Sequence, residues 1–424
     1  MRFNEATNPK LIIEDETFYA HVAEYLETCY TSGVMFECER MLRALATSEG
    51  LPKARALHGV AAGMNGDFRY ALDELTKIRA TGVALTPREG WFEWNMGFYQ
   101  LGLGLYKEGW ANYEWGKKLG TRPVRQMGDE WDGSFLGPDK VLSVWTEQGF
   151  GDTIQFLRFL RQIKERSGAR IMFECQPVFT HLLRKQPKIR EWVDWIVPLE
   201  SESPPMDFHA HVALMSLPFV YGLEDEDSLR CEPYLESVPD MAENARQMLS
   251  VEYGADGFLK AGLVWAGSTR HRNNAQRSIP VQYLGPFGQI LGVKWFSLQT
   301  EVKGCPEWAV DFGKDIKVWL QTVAIISALD LVVTCDTAVA HIAGAMGKKT
   351  LMMIPKGPCW RWKTSGRENY WYDSVTIYRQ PALGDWESVV RAVSGDIERL
   401  AVDMLDADST SAHLDGVAAA LSSS

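Results

Sequence analysis

The stretch VLSVWTEQGFGDTIQFLRFL, residues 141–160, decides the fold of this 424-residue chain. Val141–Trp145 is short and apolar, as a buried strand should be, and the apolar residues after the glycines have helical spacing. Gly149 and Gly151 permit tight backbone geometry and the close approach of a ligand. Asp152 stands at the start of the helix, where a carboxylate either caps free N–H groups or serves as a general base at the mouth of a cleft. Position alone leaves both roles open.

A second strand and helix follow the same pattern at residues 329–347, LDLVVTCDTAVAHIAGAMG. Leu329–Thr334 predicts a buried strand, and Asp336 and Thr337 follow at its carboxyl end, where open α/β sheets bind ligands. N–H groups at a helix start, with the Thr337 hydroxyl beside them, suit a phosphate, although an ordinary N-cap gives the same pattern. Cys335 is interpreted as a small apolar residue at the strand end rather than as a nucleophile.

Five segments occur in one order: TEQGFGDTIQF (146–156), GLVWAGSTRHRNNAQRSIP (262–280), FSLQ (296–299), CDTAVAHIAGAMGK (335–348) and WRW…WY…YRQ (360–380). This set resembles bacterial proteins that fuse tetratricopeptide repeats to a glycosyltransferase family 9 module, a family that includes the heptosyltransferases of lipopolysaccharide core assembly. The resemblance covers roughly residues 50–400. It implies a GT-B fold, in which two Rossmann-like domains face each other across a cleft, a nucleotide-diphosphate sugar as donor, and no obligatory metal or other cofactor.

The resemblance assigns roles to residues at matching positions. An Asp in the matching Gly-Asp turn is the general base of the heptosyltransferases, so the resemblance gives Asp152 that role. Arg277 stands where family members carry a Lys or Arg, and its guanidinium suits the oxygens of a leaving diphosphate; the residue type alone fits a surface salt bridge equally well. Ser268 and Thr269, at a strand-end turn, can donate hydroxyl hydrogen bonds to phosphate.

The family contacts its donor through an Asp-Thr-x-x-x-His element, which Asp336, Thr337, Ala338 and His341 match. The resemblance places Thr337 and the local N–H groups at the diphosphate, and Asp336 at sugar or ribose hydroxyls. Without the resemblance, His341 fits a structural helix residue. Gln299 matches a residue that meets the ribose or the base of the nucleotide.

Gln155 and His209 are the candidates for the acceptor side of the cleft. His209 and His211 would share one face of an extended segment, but no third ligand has the spacing of a metal site, which favours polar residues at a rim. The segment KGPCWRWKTSGRENYWY (356–372) departs from the family pattern, because Cys359 replaces an acidic residue before WRW. The sugar and acceptor preferences therefore do not follow from the resemblance.

The composition excludes some classes of partner. The chain has 44 Lys and Arg against 55 Asp and Glu, a net charge of −11, which argues against broad binding to nucleic acid. A local basic cleft stays open, since Arg270, His271, Arg272 and Arg277 are close in sequence. The sequence shows no signal peptide and no apolar run of about 20 residues that could span a membrane. Seven cysteines without metal-ligand spacing predict reduced thiols and a cytoplasmic protein.

The domain organisation is predicted from repeats and composition. Gly59, Gly66 and Ala71 recur 38 residues later as Gly97, Gly104 and Gly109, as in helix pairs of the tetratricopeptide type. The predicted parts are helical repeats at 1–125, a connector at 126–140, an acceptor domain at 141–250, a donor domain at 251–405 and a flexible tail at 406–424. With few units, the repeats should pack rigidly on the first α/β domain, as a docking layer or as a groove for a protein acceptor.

Several functions remain open at this stage. The leading interpretation is a glycosyltransferase that moves a sugar to an acceptor hydroxyl, the acceptor being a glycan, a protein or a modified nucleobase. The alternatives are a protein glycosyltransferase of the O-GlcNAc type, a phage-type nucleobase glycosyltransferase, and a non-catalytic repeat scaffold that binds a sugar nucleotide. The donor sugar, its nucleobase and the acceptor are not determined by the sequence.

Overall fold

The computed structural model describes residues 24–25, 28–29, 32, 35–46, 52–82, 90–126, 128–199, 206–271, 273–301 and 304–422. The helices are α1 (Met35–Ala46), α2 (Pro52–Met64), α3 (Phe68–Ala80), α4 (Trp91–Gly102), α5 (Tyr106–Tyr113), α6 (Trp115–Leu119), α7 (Phe150–Phe156), α8 (Ile163–Ser167), α9 (Pro177–Arg184), α10 (Pro187–Trp192), α11 (Leu217–Val220), α12 (Pro239–Gln247), α13 (Asn274–Arg277), α14 (Trp319–Ala328), α15 (Ala338–Ala345) and α16 (Trp386–Ser422). The strands are β1 (Asp129–Glu130), β2 (Val141–Trp145), β3 (Arg170–Cys175), β4 (Trp195–Pro198), β5 (Ala210–Ala213), β6 (Leu259–Val264), β7 (Val293–Ser297), β8 (Ala309–Asp311), β9 (Leu331–Cys335), β10 (Thr350–Ile354) and β11 (Val375–Arg379).

The strands form two sheets that are parallel throughout. The first has the order β1-β5-β2-β3-β4 and the second the order β11-β10-β9-β6-β7-β8. In the first sheet Leu142 of β2 lies opposite Ile171 of β3 and Ala210 of β5. Strands β2, β9 and β10 are buried along their whole length, as expected for parallel sheets covered on both faces. Two parallel sheets covered by helices are what the predicted α/β class requires, and ligands of such sheets bind at the carboxyl ends of the strands.

The two sheets share one apolar core. A single cluster of buried side chains includes Val144 from the first sheet, Val332 from the second, and Phe156, Trp360 and Trp371 between them. A separate cluster fills the other face of the second sheet, where helix α16 packs. The common core fixes the two α/β halves against each other, so residues from both meet at one interface.

The N-terminal part consists of helical hairpins whose glycines lie where helices cross. A Cβ added to Gly97 of α4 would lie 2.8 Å from the Tyr113 backbone nitrogen, and one added to Gly109 of α5 would lie 2.8 Å from Leu101 Cδ2. Gly66 and Gly104 occupy the turns between paired helices, with φ of +99° and +81°. The 38-residue spacing therefore reflects two similar hairpins, α2–α3 and α4–α5. Most of the preceding segment lies outside the described residues.

The helical hairpins pack on both α/β halves. Trp110 of α5 is buried. Its ring centroid lies 6.1 Å from that of Phe156 in the first half and 5.4 Å from that of Trp360 in the second, and both pairs of rings are nearly perpendicular. Tyr106 meets Tyr370 at 5.7 Å. The predicted contact was with the first α/β domain. The aromatic segment of the second half also takes part, because it lies between the hairpins and the first half.

The ends of two strands of the first sheet are set by the helices beside them. Helix α10 begins at a proline and ends at Trp192, before β4 starts at Trp195. Strand β5 ends at Ala213, where the chain turns into a short 3₁₀ helix. The predicted connector contributes β1, which pairs with β5, and it buries Trp131.

The last helix extends into the segment predicted as a flexible tail. Helix α16 begins at Trp386 and continues to Ser422. Within the described part of the chain, no helix is both long enough and apolar enough to cross a membrane.

Candidate functional site

Asp152 lies in the first turn of helix α7 and caps it. Gly149 precedes the helix in an extended conformation, and its N–H donates to Asp152 Oδ2 at 2.9 Å. The other carboxylate oxygen, Oδ1, accepts a hydrogen bond from Arg361 Nη2 at 2.5 Å. The Asp152 side chain keeps 24% of its surface exposed. The hydrogen bond from Gly149 confirms that Asp152 caps the helix. Part of the carboxylate stays exposed, and its role as a general base remains a prediction.

The glycine turn brings α7 against the start of helix α15, which belongs to the second α/β half. A Cβ added to Gly151 would lie 2.8 Å from His341 Cδ2 and 3.7 Å from Ala338 Cα. Neither Gly149 nor Gly151 has a positive φ. The His341 ring therefore occupies the space that a side chain at Gly151 would need. The close approach predicted for a ligand at this glycine is made by a side chain of the protein itself.

His341 is a buried, uncharged histidine at this interface. Its Nδ1 lies 3.2 Å from the Tyr372 hydroxyl, and its ring stacks on Trp362 with centroids 5.4 Å apart. Burial, with the charges of Arg361, Arg158 and Arg277, holds the pKa of His341 well below its ordinary value. The ring is therefore neutral near pH 7, and it serves here as a packing and hydrogen-bonding group.

Arg277 reaches the start of α15 from the loop after β6. Its Nη1 donates to the Asp336 carbonyl at 3.1 Å, and its Nε is buried without a hydrogen-bond partner. Gly267 makes room for the guanidinium, because a Cβ there would lie 2.4 Å from Arg277 Nη2. Thr337, the N-cap of α15, places its Oγ1 3.3 Å from that of Thr334. An arginine with an unused N–H beside a helix start is suited to an anion.

His271, in the loop after β6, is within electrostatic range of charged groups from both halves. Desolvation and the charge of Arg277 lower its pKa, while the charges of Asp336 and Asp152 act in the opposite direction. Arg272 of the predicted basic cluster lies outside the described residues.

Ser268, Thr269 and Gln299 flank the same strand ends. Ser268 is half-buried and its Oγ accepts from the Arg270 N–H at 3.4 Å, and Thr269 is exposed. Gln299 is buried, and its side-chain oxygen accepts from the Trp265 and Ala266 N–H groups at 3.2 and 2.9 Å. That oxygen ties two strand ends together, which leaves it less available to a nucleotide than the sequence analysis expected.

Both predicted acceptor-side residues are placed elsewhere. Gln155 is fully buried, and its Oε1 accepts from Arg361 Nε at 2.6 Å, so it cannot face an acceptor. His209 Nδ1 accepts from the Val141 N–H at 3.0 Å, at the amino-terminal end of β2. Because β2 and β5 are parallel, that end is opposite to the carboxyl edge where Asp152 lies. The burial of Gln155 and the position of His209 therefore do not favour the acceptor role predicted for them.

The groups that hold the Asp152 loop were not predicted from the sequence. Glu147 and Arg122 form a buried ion pair at 2.8 Å, and Arg122 also binds Glu114 of the helical hairpins at 2.7 Å. Burial raises the pKa of Glu147. Arg361 lies within the WRW motif, and its role was not predicted, because no local pattern pairs it with a carboxylate 209 residues away.

Two cysteines near the site stay protonated, and a protonated thiol is a poor nucleophile. Cys335 is completely buried, and burial raises its pKa to about 12, as the apolar interpretation requires. Burial also raises the pKa of Cys359, whose Sγ lies 3.1 Å from Arg361 Nη1. Among the residues that the structure describes, no group of three or more His, Cys, Asp or Glu is placed to hold a metal ion.

Comparison with known proteins gives distant similarities. No family model matches the chain. It is 27% identical over 334 residues to the protein FlbA of Caulobacter vibrioides, a match of 69% of this chain and 52% of FlbA. The chain thus spans about half the length of the curated relative that it matches. Two similar solved structures are a glycosyl transferase family 9 protein from Veillonella parvula (12% identity, 64% of this chain and 99% of that one, TM-score 0.45) and ADP-heptose lps heptosyltransferase II from E. coli (12%, 62% and 99%, 0.43).

Proposed function

We propose that this chain is a glycosyltransferase that moves a sugar from a nucleotide-diphosphate donor to an acceptor hydroxyl. One observation carries the proposal. The glycine turn that bears Asp152 and the helix start that bears Asp336 and Thr337 belong to different α/β halves, yet Gly151 lies directly against His341. A candidate base and a candidate anion site therefore meet at the carboxyl ends of two parallel sheets, where such folds bind ligands.

Each step of the transfer has a candidate group. Asp152 takes the proton of the acceptor hydroxyl as the acceptor oxygen attacks the anomeric carbon. The bond from that carbon to the diphosphate oxygen breaks, and the nucleoside diphosphate leaves with the electron pair. Arg277 and the N–H groups at the start of α15 stabilise the charge that develops on the leaving oxygens. Ser268, Thr269 and Asp336 lie near enough to the same strand ends to contact phosphate or sugar hydroxyls.

The proposal includes the organisation that the resemblance implies. The two α/β halves, 141–250 and 251–405, would be the acceptor and donor domains of a GT-B enzyme. The hairpins before them would be tetratricopeptide-like units acting as a docking layer, since Trp110 and Tyr106 are used in packing on the α/β halves. Arg277 and the helix start supply the positive potential that the leaving group needs, so we propose that transfer requires no divalent metal.

Binding of the donor is tested by thermal stabilisation with nucleoside diphosphates and their sugars, because a ligand that binds the native state raises its melting temperature with concentration. Arg277→Ala and Thr337→Ala should each weaken binding, with a lost charge-assisted contact costing about 1.5–3 kcal/mol. Arg391→Ala removes an exposed arginine that pairs with Glu387 and should leave binding unchanged. Equal affinity in all three variants would place the donor elsewhere.

Turnover is tested on Asp152→Asn, which keeps the size of the side chain and some capping ability. It should lower the release of nucleoside diphosphate by about 10²–10⁴-fold while binding changes little. Asp385→Asn is the matched control, because Asp385 also caps a helix, with its Oδ1 3.0 Å from the Ser388 nitrogen. Binding without turnover in the parent chain would favour the scaffold interpretation. Loss of activity in EDTA with recovery in Mg²⁺ or Mn²⁺ would contradict metal independence.

A further inference from the structure

Arg361 is the group that joins Asp152 to the second α/β half. Its Nη2 donates to Asp152 Oδ1 at 2.5 Å, its Nε to Gln155 Oε1 at 2.6 Å, and its Nη1 to Cys359 Sγ at 3.1 Å. The guanidinium also lies 4.3 Å from the centre of the Trp360 ring. All three nitrogens are therefore engaged, and only 8% of the side chain is exposed. Such a group has one orientation, and it imposes that orientation on its partner.

The backbone that presents Arg361 is held from several sides. The Arg361 carbonyl accepts from Trp371 Nε1 at 3.0 Å, and the next carbonyl, that of Trp362, accepts from Arg379 Nη2 at 2.9 Å. Lys363 follows with φ of +56°, and among the described residues it alone combines a side chain with a positive φ. Strained backbone of this kind persists where the surrounding contacts over-determine it, and it clusters at functional sites.

Helix capping does not account for the arginine. The cap of α7 uses only Asp152 Oδ2, through the Gly149 N–H. Arg361 binds the other oxygen, Oδ1, and prevents the carboxylate from turning about its bond to Cβ. Gln155 lies about one helical turn beyond Asp152 and is fully buried, so it anchors the guanidinium without contacting solvent. Asp152 and Gln155, both on α7, thus bind two of the three guanidinium nitrogens, Nη2 and Nε.

We propose that Arg361 is a positioning residue that holds Asp152 in the orientation needed to accept the proton of the acceptor hydroxyl, with Gln155 as its second anchor. This inference rests on the proposed function, since it gives Asp152 the role of base. Because Arg361 comes from the donor half of the chain, Asp152 is oriented only when the two halves are together. A base held by such a contact loses much of its rate when it is displaced, by up to about 10²-fold for a 1 Å shift.

The test measures kcat, the KM for the donor, and the melting temperature of Arg361→Ala and Arg361→Lys, with nucleotide-diphosphate sugars as donors and released nucleoside diphosphate as the readout. We expect kcat to fall about 10–100-fold and the donor KM to stay within about twofold. Guanidinium ion at millimolar concentration should restore at least part of the kcat of Arg361→Ala, whereas ammonium should not, because only guanidinium offers a planar fork. Arg361→Lys should stay impaired for the same reason.

Gln155→Met is the second variant, and it covers the case in which Arg361→Ala does not fold. Gln155 Nε2 is buried without a hydrogen-bond partner, so methionine removes an unsatisfied group while it removes one anchor. We expect a kcat lowered several-fold with an unchanged donor KM. Arg230→Gln is the control. Arg230 forms a partly exposed ion pair with Asp373, with 2.8 Å between the charged atoms, and it does not pair with Asp152.

Three outcomes would overturn the inference. The first is a normal kcat in Arg361→Ala or in Gln155→Met while Asp152→Asn is inactive. The second is a loss of kcat that follows the loss of folded protein and is not relieved by guanidinium, which would make the arginine structural. The third is a normal kcat in Asp152→Asn, which would remove the base that Arg361 is proposed to position, although the chain would still transfer sugar. Failure of the proposed function is a different result, the absence of turnover in the parent chain.

Discussion

Substitution of Gly151 by alanine tests the contact on which the site depends. The added Cβ would lie 2.8 Å from His341 Cδ2, a distance at which something must move. His341 cannot easily yield, since its ring stacks on Trp362 and its Nδ1 is bonded to the Tyr372 hydroxyl. Helices α7 and α15 would therefore have to separate, which would alter the interface between the two α/β halves.

The expected size of the effect follows from two opposing terms. Overpacking of a well-filled interface costs about 1–3 kcal/mol. Alanine in a helix gains about 0.5–1 kcal/mol over glycine, and Gly151 has no positive φ to prevent that gain. The difference predicts a net destabilisation of about 0–2.5 kcal/mol. Because Asp152 is the next residue, we also expect a fall in turnover larger than the loss of stability explains.

The assay compares melting temperatures of Gly151→Ala and Gly395→Ala with the parent. Gly395 lies in helix α16, and a Cβ there would meet no atom within 4 Å. That control should be more stable than the parent by about 0.5–1 kcal/mol, from helix propensity alone. Gly151→Ala should melt below the parent. If both variants were stabilised equally, the contact between α7 and α15 would not exist as described.

Three further predictions concern the core and the pH response. His341 has a lowered pKa in the folded chain, so the unfolded state takes up the proton first, and the stability of the fold falls as the pH drops below about 6.5. His341→Gln should therefore show a smaller difference in melting temperature between pH 8 and pH 5 than the parent does, and an equal difference would refute this. Trp110→Ala should destabilise the chain by about 3–5 kcal/mol, and Trp110→Phe by far less because the indole N–H has no partner; equal losses would mean that ring volume is not what matters. Deletion of residues 1–125 should uncover Phe156 and Trp360 and give an aggregation-prone fragment, and a soluble, monomeric fragment as heat-stable as the whole chain would show the hairpins to be independent.

Local patterns predicted the elements whose causes are local. Val141–Trp145 was predicted with the boundaries that it has, because a buried parallel strand is a continuous apolar run. The spacing of Gly97 and Gly109 indicated paired helices, since small residues let two helices approach closely. Elements whose existence depends on a distant partner were missed: β1 has two residues and forms only because Ala210 and His211 pair with it.

The sequence by itself determined two parallel α/β halves preceded by helical hairpins. It indicated Asp152 and Asp336 as polar groups beyond strand ends, and the family resemblance added Arg277 as a group for the diphosphate. Only the tertiary structure decided which of these groups meet. Asp152 and Arg361 are 209 residues apart, and the pair forms because a shared apolar core brings the aromatic segment of one half onto the other. The same packing buries Gln155 against Arg361. A helix pattern shows which residues share a face, but the chain that covers that face is chosen by packing between distant segments.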